Sequence, residues 1–161
     1  WLDPIAALDQ SALSEALRQS HWLYLLISAG HITGLALLFG AIVPLDLKLL
    51  GAWPSVPARL IARVLVPAAK GGLVLAIASG LLLFAAHPAR YAVLGVFQLK
   101  MLLVMVGAVN ALLLDRSVAW DGLMREAGED QPAGRVRRAA GLSLAIWCAV
   151  LLAGRMIGFA D

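Results

Sequence analysis

The stretch WLYLLISAGHITGLALLFGAIVPL, residues 22–45, decides the fold class. It contains no Asp, Glu, Lys or Arg, and a helix of this length is long enough to cross a hydrocarbon core of about 30 Å. Three further apolar runs follow it, at residues 60–86, 91–114 and 139–160. The sequence therefore predicts an all-α protein, a bundle of four transmembrane helices with up-down topology.

The composition excludes an ordinary soluble domain. Of the 161 residues, 61% are hydrophobic and 14% are charged, and the mean hydropathy is +0.87. Soluble domains carry roughly 25% charged residues. Four spans and their connections use the whole chain, so residues 1–161 are predicted to form a single integral membrane domain. The basic residues lack interleaved aromatic side chains, so we expect no nucleic-acid partner despite the net charge of +3.

The segment before the first span, residues 4–20, has apolar residues at helical spacing. Ile5, Leu8 and Leu17 alternate with charged side chains such as Asp9. The segment is too short and too charged to span a membrane. It is predicted to form an amphipathic helix that lies on the bilayer surface.

The distribution of Lys and Arg predicts the orientation. Only Arg18 and Arg90 lie on the side of the termini, whereas the first and third loops and the adjoining helix ends carry eight basic residues: Lys48, Arg59, Arg63, Arg116, Arg125, Arg135, Arg137 and Arg138. Cytoplasmic loops are enriched in Lys and Arg. We therefore expect a multi-pass protein of the bacterial inner membrane with both termini outside.

Few polar side chains lie within the spans, and such residues are functional candidates because burying them in hydrocarbon is costly. His31 in the first span and Lys100 in the third, nine residues after Tyr91, are expected at a similar depth. Lys70 and Arg155 are further potential cations. Because no carboxylate is expected beside these cations, they must reach the interface or bind an anionic ligand such as a haem propionate or a lipid headgroup.

His31 has two interpretations. Its imidazole either hydrogen-bonds to a neighbouring helix or ligates the iron of a b-type haem, since helix bundles build cofactor sites from facing side chains. In the haem interpretation Met101, Met105 or Lys100 would be the second axial ligand, and Lys100 and Arg155 would face the propionates. His21 and His87 are expected at the outer boundary, where they could share a metal or a second haem.

Small residues in two spans predict close helix packing. Gly30 and Gly34 are four residues apart in the first span, as are Gly107 and Ala111 in the third. Residues of this size at this spacing allow helix backbones to approach each other.

Several phrases together resemble an uncharacterised family of small bacterial four-span membrane proteins. They are SHWLY (20–24), HITGLALLFG (31–40), LDLKLLG (45–51), GLLLF (80–84), QLKM (98–101) with Asn110, and GRMI (154–157). His31, Pro67 and the KMLLV sequence that begins at Lys100 are also similar to HemJ-type protoporphyrinogen oxidases and CopD-like proteins. That distant resemblance implies a b-haem held through His31 with Lys100 nearby. It does not extend to further polar motifs of the HemJ type, so no oxidase activity is transferred.

These observations predict a b-haem-binding electron-transfer or redox accessory subunit. Its partners would be the bilayer, membrane or periplasmic redox proteins, and quinone. The alternative is a non-catalytic structural or lipid-binding subunit of a larger membrane complex. Transport of a small solute or metal ion is disfavoured by the expected lack of carboxylates in the spans. We find no catalytic signature and expect no independent enzymatic activity.

Overall fold

The computed structural model describes residues 3–125 and 132–159. Over these ranges the chain is helical and has no strand. The helices are α1 (Asp3–Asp9), α2 (Ala12–Gln19), α3 (His21–Leu50), α4 (Ala58–Ala86), α5 (Pro88–Ala92), α6 (Gly95–Asp115), α7 (Val118–Arg125) and α8 (Gly134–Ile157).

Four of these helices, α3, α4, α6 and α8, are long and apolar enough to cross a membrane. This confirms the predicted all-α fold with four candidate spans. The predicted third span begins too early, because Leu94 has an extended backbone and α6 begins at Gly95. The predicted third loop contains a helix, α7. The rest of that loop at residues 126–131, and the end of the predicted fourth span at residue 160, lie outside the described residues.

The long helices form a bundle that is open on one side. α3 packs against α4 and α8, and α8 packs against α6. No described Cα atom of α4 comes within 8 Å of one in α6. We call the end of the bundle where α3 begins and α8 finishes the terminal end. The opposite end, where α3 finishes and α4 begins, is the loop end.

Glycines set the close approach of α3 and α4. A Cβ atom on Gly34 would lie 2.6 Å from the Ala76 backbone nitrogen, and one on Gly72 would lie 2.5 Å from the Leu38 backbone nitrogen. Both distances are too short for any side chain. The prediction of close packing is thus confirmed for Gly34, whereas a Cβ on Gly30 would meet nothing within 4 Å.

Gly107 serves the α6–α8 interface in a similar way. A Cβ on Gly107 would lie 3.2 Å from Ile146 and 3.3 Å from the ring of Trp147. The indole of Trp147 therefore packs directly on the α6 backbone. This contact joins the two helices on the side of the bundle away from α4.

The N-terminal segment is a pair of short helices rather than one. Ser11 ends the predicted helix because its side chain caps α2 by accepting a hydrogen bond from the Ser14 amide. The Ser14 hydroxyl is 2.5 Å from the Ala85 carbonyl oxygen, and the Arg18 guanidinium donates to the Ala86 carbonyl oxygen. The pair thus satisfies carbonyls that the end of α4 would otherwise leave free.

At the loop end, α7 folds back over the bundle. Trp120 is buried there and packs in one cluster with Leu45, Leu49 and Val136. Lys48 is also buried, and its ammonium group donates to the Trp53 carbonyl oxygen at 2.9 Å. The loop end of the bundle is therefore covered by protein, and side chains beneath α7 are buried.

Candidate functional site

We call the half of the bundle nearer the terminal end the terminal half, and the other half the loop half. His31 packs against α4 in the terminal half. Its Nδ1 lies 2.9 Å from the Ala76 carbonyl oxygen and 3.2 Å from the Ser79 hydroxyl oxygen. A carbonyl oxygen only accepts hydrogen bonds, and the Ser79 hydroxyl already donates to the Leu75 carbonyl. Nδ1 must therefore carry the proton. In the neutral ring the lone pair is then on Nε2, which is free to accept a hydrogen bond or bind a metal.

A glycine makes room for the imidazole. A Cβ atom on Gly80 would lie 3.1 Å from Cε1 and 3.4 Å from Nδ1 of His31. Any larger residue at this position would push the ring away from the Ala76 carbonyl. The hydrogen bond to a neighbouring helix that was one interpretation of His31 is thus present, with the Ala76 carbonyl and the Ser79 hydroxyl of α4 as its partners.

Lys100 lies across the bundle interior from His31. Its Nζ would be 3.8 Å from a Cβ on Gly154 of α8, so the lysine stem packs where α8 has no side chain. The charge of Lys100 is close enough to act electrostatically on His31. Lys100 is only five residues into α6 rather than nine residues into a span. The two side chains nonetheless face the same region.

The other predicted site residues lie further from this region. The Arg155 guanidinium is at the terminal end, 4.5 Å from the centre of the Phe159 ring. This position is the one expected if the arginine stem extends toward the membrane interface. The Met101 and Met105 side chains are exposed on α6. The backbone of α6 stays more than 8 Å from that of α3 throughout the described residues.

A second polar region, which the sequence did not predict, lies around a cavity in the loop half. A cavity of about 260 Å³ separates α4 from α6 and reaches α3, α7 and α8. Asp46 lines it and is only 5% exposed. Its Oδ2 has no hydrogen-bond partner in the described structure, and Ser143 of α8 lines the same cavity. The folded-back α7 covers this end, where its Trp120 lines the same cavity as Asp46.

Lys70 and Asp115 form an ion pair at the edge of the same cavity. Nζ and Oδ2 are 3.0 Å apart, and the two side chains are 63% and 39% exposed. The expectation that Lys70 would find no carboxylate is therefore wrong. α6 has 21 residues and α4 has 29. This difference corresponds to about 12 Å of helix, so the end of α6 lies deeper in the bundle, within reach of a lysine side chain.

No group of three or more His, Cys, Asp or Glu side chains that could hold a metal ion occurs in the described ranges. Comparison with known proteins found no matching family model, no matching curated protein and no matching solved structure.

Proposed function

We propose that this protein binds one b-type haem in the terminal half of the bundle, with Nε2 of His31 as an axial ligand, and acts in electron transfer as a redox accessory subunit. The proton position on His31 carries this proposal. A histidine that ligates a metal through one ring nitrogen generally donates its other N–H to a carbonyl or carboxylate. Nδ1 of His31 has such an acceptor in Ala76.

The surroundings of His31 are consistent with this role. The hydrogen bonds to Ala76 and Ser79 fix the ring orientation, and Gly80 lets the ring rest on the α4 backbone. Lys100 supplies a positive charge on the opposite side of the interior for a haem propionate. When bound, the haem would supply a centre that accepts and releases one electron.

A second ligand to the iron would come from one of three candidates in the sequence, Met101, Met105 or Lys100. All three are on α6, diagonally opposite α3 in the bundle. A methionine ligand would need its side chain to turn from the exposed face of α6 toward the interior. Lys100 already faces the interior and is the third candidate, although its proposed role is to pair with a propionate.

The proposed location is the bacterial inner membrane, with the terminal end facing outside. The support is the basic residues of the loop end, which include Arg59, Arg63 and Arg116. This orientation would present the haem half to a periplasmic redox partner and would leave the loop half near the cytoplasm. Exchange of electrons with quinone or another membrane complex is part of the proposal.

Reporter fusions test the orientation. A reporter inserted after Trp53, in the loop between α3 and α4, should be active only if it is of the cytoplasmic type. A second fusion site, at residue 128, lies outside the described residues, in the third loop, which is also predicted to be cytoplasmic. Activity of a periplasmic reporter at both positions would reverse the proposed orientation.

Absorption spectra test haem binding. The parent protein, purified in mild detergent from a haem-sufficient host, should show the reduced-minus-oxidised spectrum of a b-type cytochrome. His31→Ala should remove most of this signal while the protein still inserts, because insertion depends on the apolar spans. His87→Ala, outside the spans, is the matched control and should leave haem content unchanged.

A colourless parent protein would refute the haem proposal. The alternative, a structural or lipid-binding subunit of a larger membrane complex, would then take its place. In that case the hydrogen bonds of His31 would serve only to join α3 and α4. Lys70, Lys100 and Arg155 would contact lipid headgroups or a neighbouring subunit.

A further inference from the structure

The cavity in the loop half is a separate feature from the His31 region and is mostly apolar. Its walls include Leu38, Ile42 and Leu73 from α3 and α4, and the indole of Trp147 from α8. Trp120 of α7 also lines it. A space with these walls fits the hydrocarbon or aromatic body of a small molecule.

Asp46 is the feature that these apolar walls do not explain. A buried carboxylate oxygen without a partner is costly, since buried charges in proteins are normally paired. Three charged side chains line the cavity: Asp46, Lys70 and Asp115. The ammonium group of Lys70 pairs with Asp115 at 3.0 Å, so no cation among the described lining residues is left for Asp46.

The charge of the lining depends on the buried Asp46. When both carboxylates are ionised and Lys70 neutralises Asp115, a single negative charge remains, at Asp46. Trp120 and Trp147 add aromatic faces, which attract cations. Both features favour a ligand with one positive charge.

The open side of the bundle provides a route to the cavity. α4 and α6 stay more than 8 Å apart at every described Cα pair. At the terminal end their gap is filled by the stacked rings of Phe84 and Phe97, 5.4 Å apart. At the level of the cavity, the one hydrogen bond or ion pair found between the two helices in the described residues is the exposed Lys70–Asp115 pair. An amphiphilic molecule dissolved in the bilayer could enter between them by displacing that pair.

We propose that this cavity binds a small amphiphilic organic cation, a protonated amine with an apolar body, whose ammonium group pairs with Asp46. The ammonium group would donate to the free Oδ2, and the body would pack on the aliphatic walls and on Trp147. This inference does not depend on haem binding by His31.

Calorimetric titration of the protein in lipid nanodiscs tests the proposal with two probes of the same shape. Phenethylamine is cationic at neutral pH, and phenethyl alcohol is its neutral counterpart. Titration of empty nanodiscs corrects for partition into lipid. The parent protein should bind the amine about tenfold more tightly than the alcohol, because only the amine brings a charge to Asp46.

Three variants make the result specific. Asp46→Asn keeps the size of the side chain and should abolish the preference for the amine. Asp121→Asn removes an exposed carboxylate that does not line the cavity, and should leave that preference within about threefold of the parent value. Ala108→Leu reduces the cavity volume while keeping Asp46, and should weaken the binding of both probes.

Two results would overturn the proposal. One is equal affinity of the parent for the amine and the alcohol, or no binding of either, which would leave Asp46 as a buried acid without a cationic ligand. The other is an unchanged preference in Asp46→Asn. If Asp46→Asn does not fold, Ala108→Leu still decides, because undiminished amine binding in that variant would place the ligand outside the cavity.

Discussion

His31 in the terminal half and Asp46 in the loop half are polar residues of the same helix, α3, about 22 Å apart along its axis. The neighbouring helix provides hydrogen-bond acceptors for His31, at Ala76 and Ser79. One oxygen of Asp46 has no hydrogen-bond partner and the side chain lines a cavity. The difference follows the spacing of the helices. Where the α3 and α4 backbones touch, protein satisfies the polar group. At the cavity between α4 and α6, we propose that a ligand does so.

The sequence of the two helices reflects this difference. Glycines at 34, 72 and 80 bring the α3 and α4 backbones and the His31 ring into direct contact. In the loop half the same helices contain Pro44 and Pro67 instead. Each proline removes a backbone hydrogen bond from its helix. The terminal half therefore has the tighter helix contacts, and the loop half has the cavity.

The largest effect is expected from a change that disturbs both halves at once. Gly72→Ala places a Cβ 2.5 Å from the Leu38 backbone nitrogen, so α3 and α4 must separate. We expect a loss of about 3 kcal/mol in the free energy of unfolding, at the upper end of the usual cost of overpacking. Unfolding in mixed detergent micelles measures it.

Gly71→Ala is the matched control for that change. The two glycines are adjacent in α4, but a Cβ on Gly71 would meet nothing within 4 Å. Alanine has a higher helix propensity, so Gly71→Ala should be neutral or stabilising by up to about 1 kcal/mol. Equal destabilisation by the two substitutions would show that the α3–α4 contact does not hold the bundle together.

A smaller and more local effect is expected from Gly80→Ala, which disturbs the terminal half alone. The new Cβ would lie 3.1 Å from Cε1 of His31, so the ring must shift and the hydrogen bond to Ala76 must lengthen. Haem affinity should fall about tenfold, as is typical when the hydrogen bond behind a metal-bound histidine is disturbed. Haem titration of the apoprotein measures this, and amine binding at Asp46 should stay unchanged. A loss of amine binding would contradict the separation of the two halves.

The smallest effect concerns the redox potential. Lys100→Gln removes a positive charge near the proposed haem, and a nearby positive charge favours the reduced form. The midpoint potential should therefore fall by tens of millivolts, on the order of 1 kcal/mol for a charge about 10 Å away. Arg155→Gln should act in the same direction but less, since Arg155 is exposed. Lys70→Gln, in the other half, is the control, and an equal shift in that variant would count against a haem beside Lys100. Potentiometric titration gives the values.

Much of the terminal half could be predicted from the sequence. His31 and Lys100 stand out because each is a polar residue in an apolar run. Such residues can be recognised without knowing which helices are neighbours. The acceptors on α4 could not be predicted, since Ala76 contributes a backbone oxygen that any residue would carry. The part of α4 that faces His31 is known from the hydrogen bonds of the ring and from the packing of Gly80 against it, and the sequence shows neither.

The loop half could not be predicted because it depends on contacts between distant segments. Asp46 is five residues from Gly51, at the end of the first predicted span, where water would be expected. The structure buries it because α7, part of a predicted loop, returns and places Trp120 over the bundle. Likewise, the pairing of Lys70 with Asp115 follows from the unequal lengths of α4 and α6, which the apolar runs do not show because the third run begins at Tyr91, before α6 does.

The haem content of two purified variants tests most directly the claim that the halves are separate sites with different ligands. Pyridine haemochrome assays would compare His31→Ala and Asp46→Asn with the parent, each prepared under the same haem-sufficient conditions. We predict that His31→Ala loses most of its b-type haem and that Asp46→Asn keeps the parent amount. Haem retained in His31→Ala, or lost equally in both variants, would contradict the assignment of haem to the terminal half.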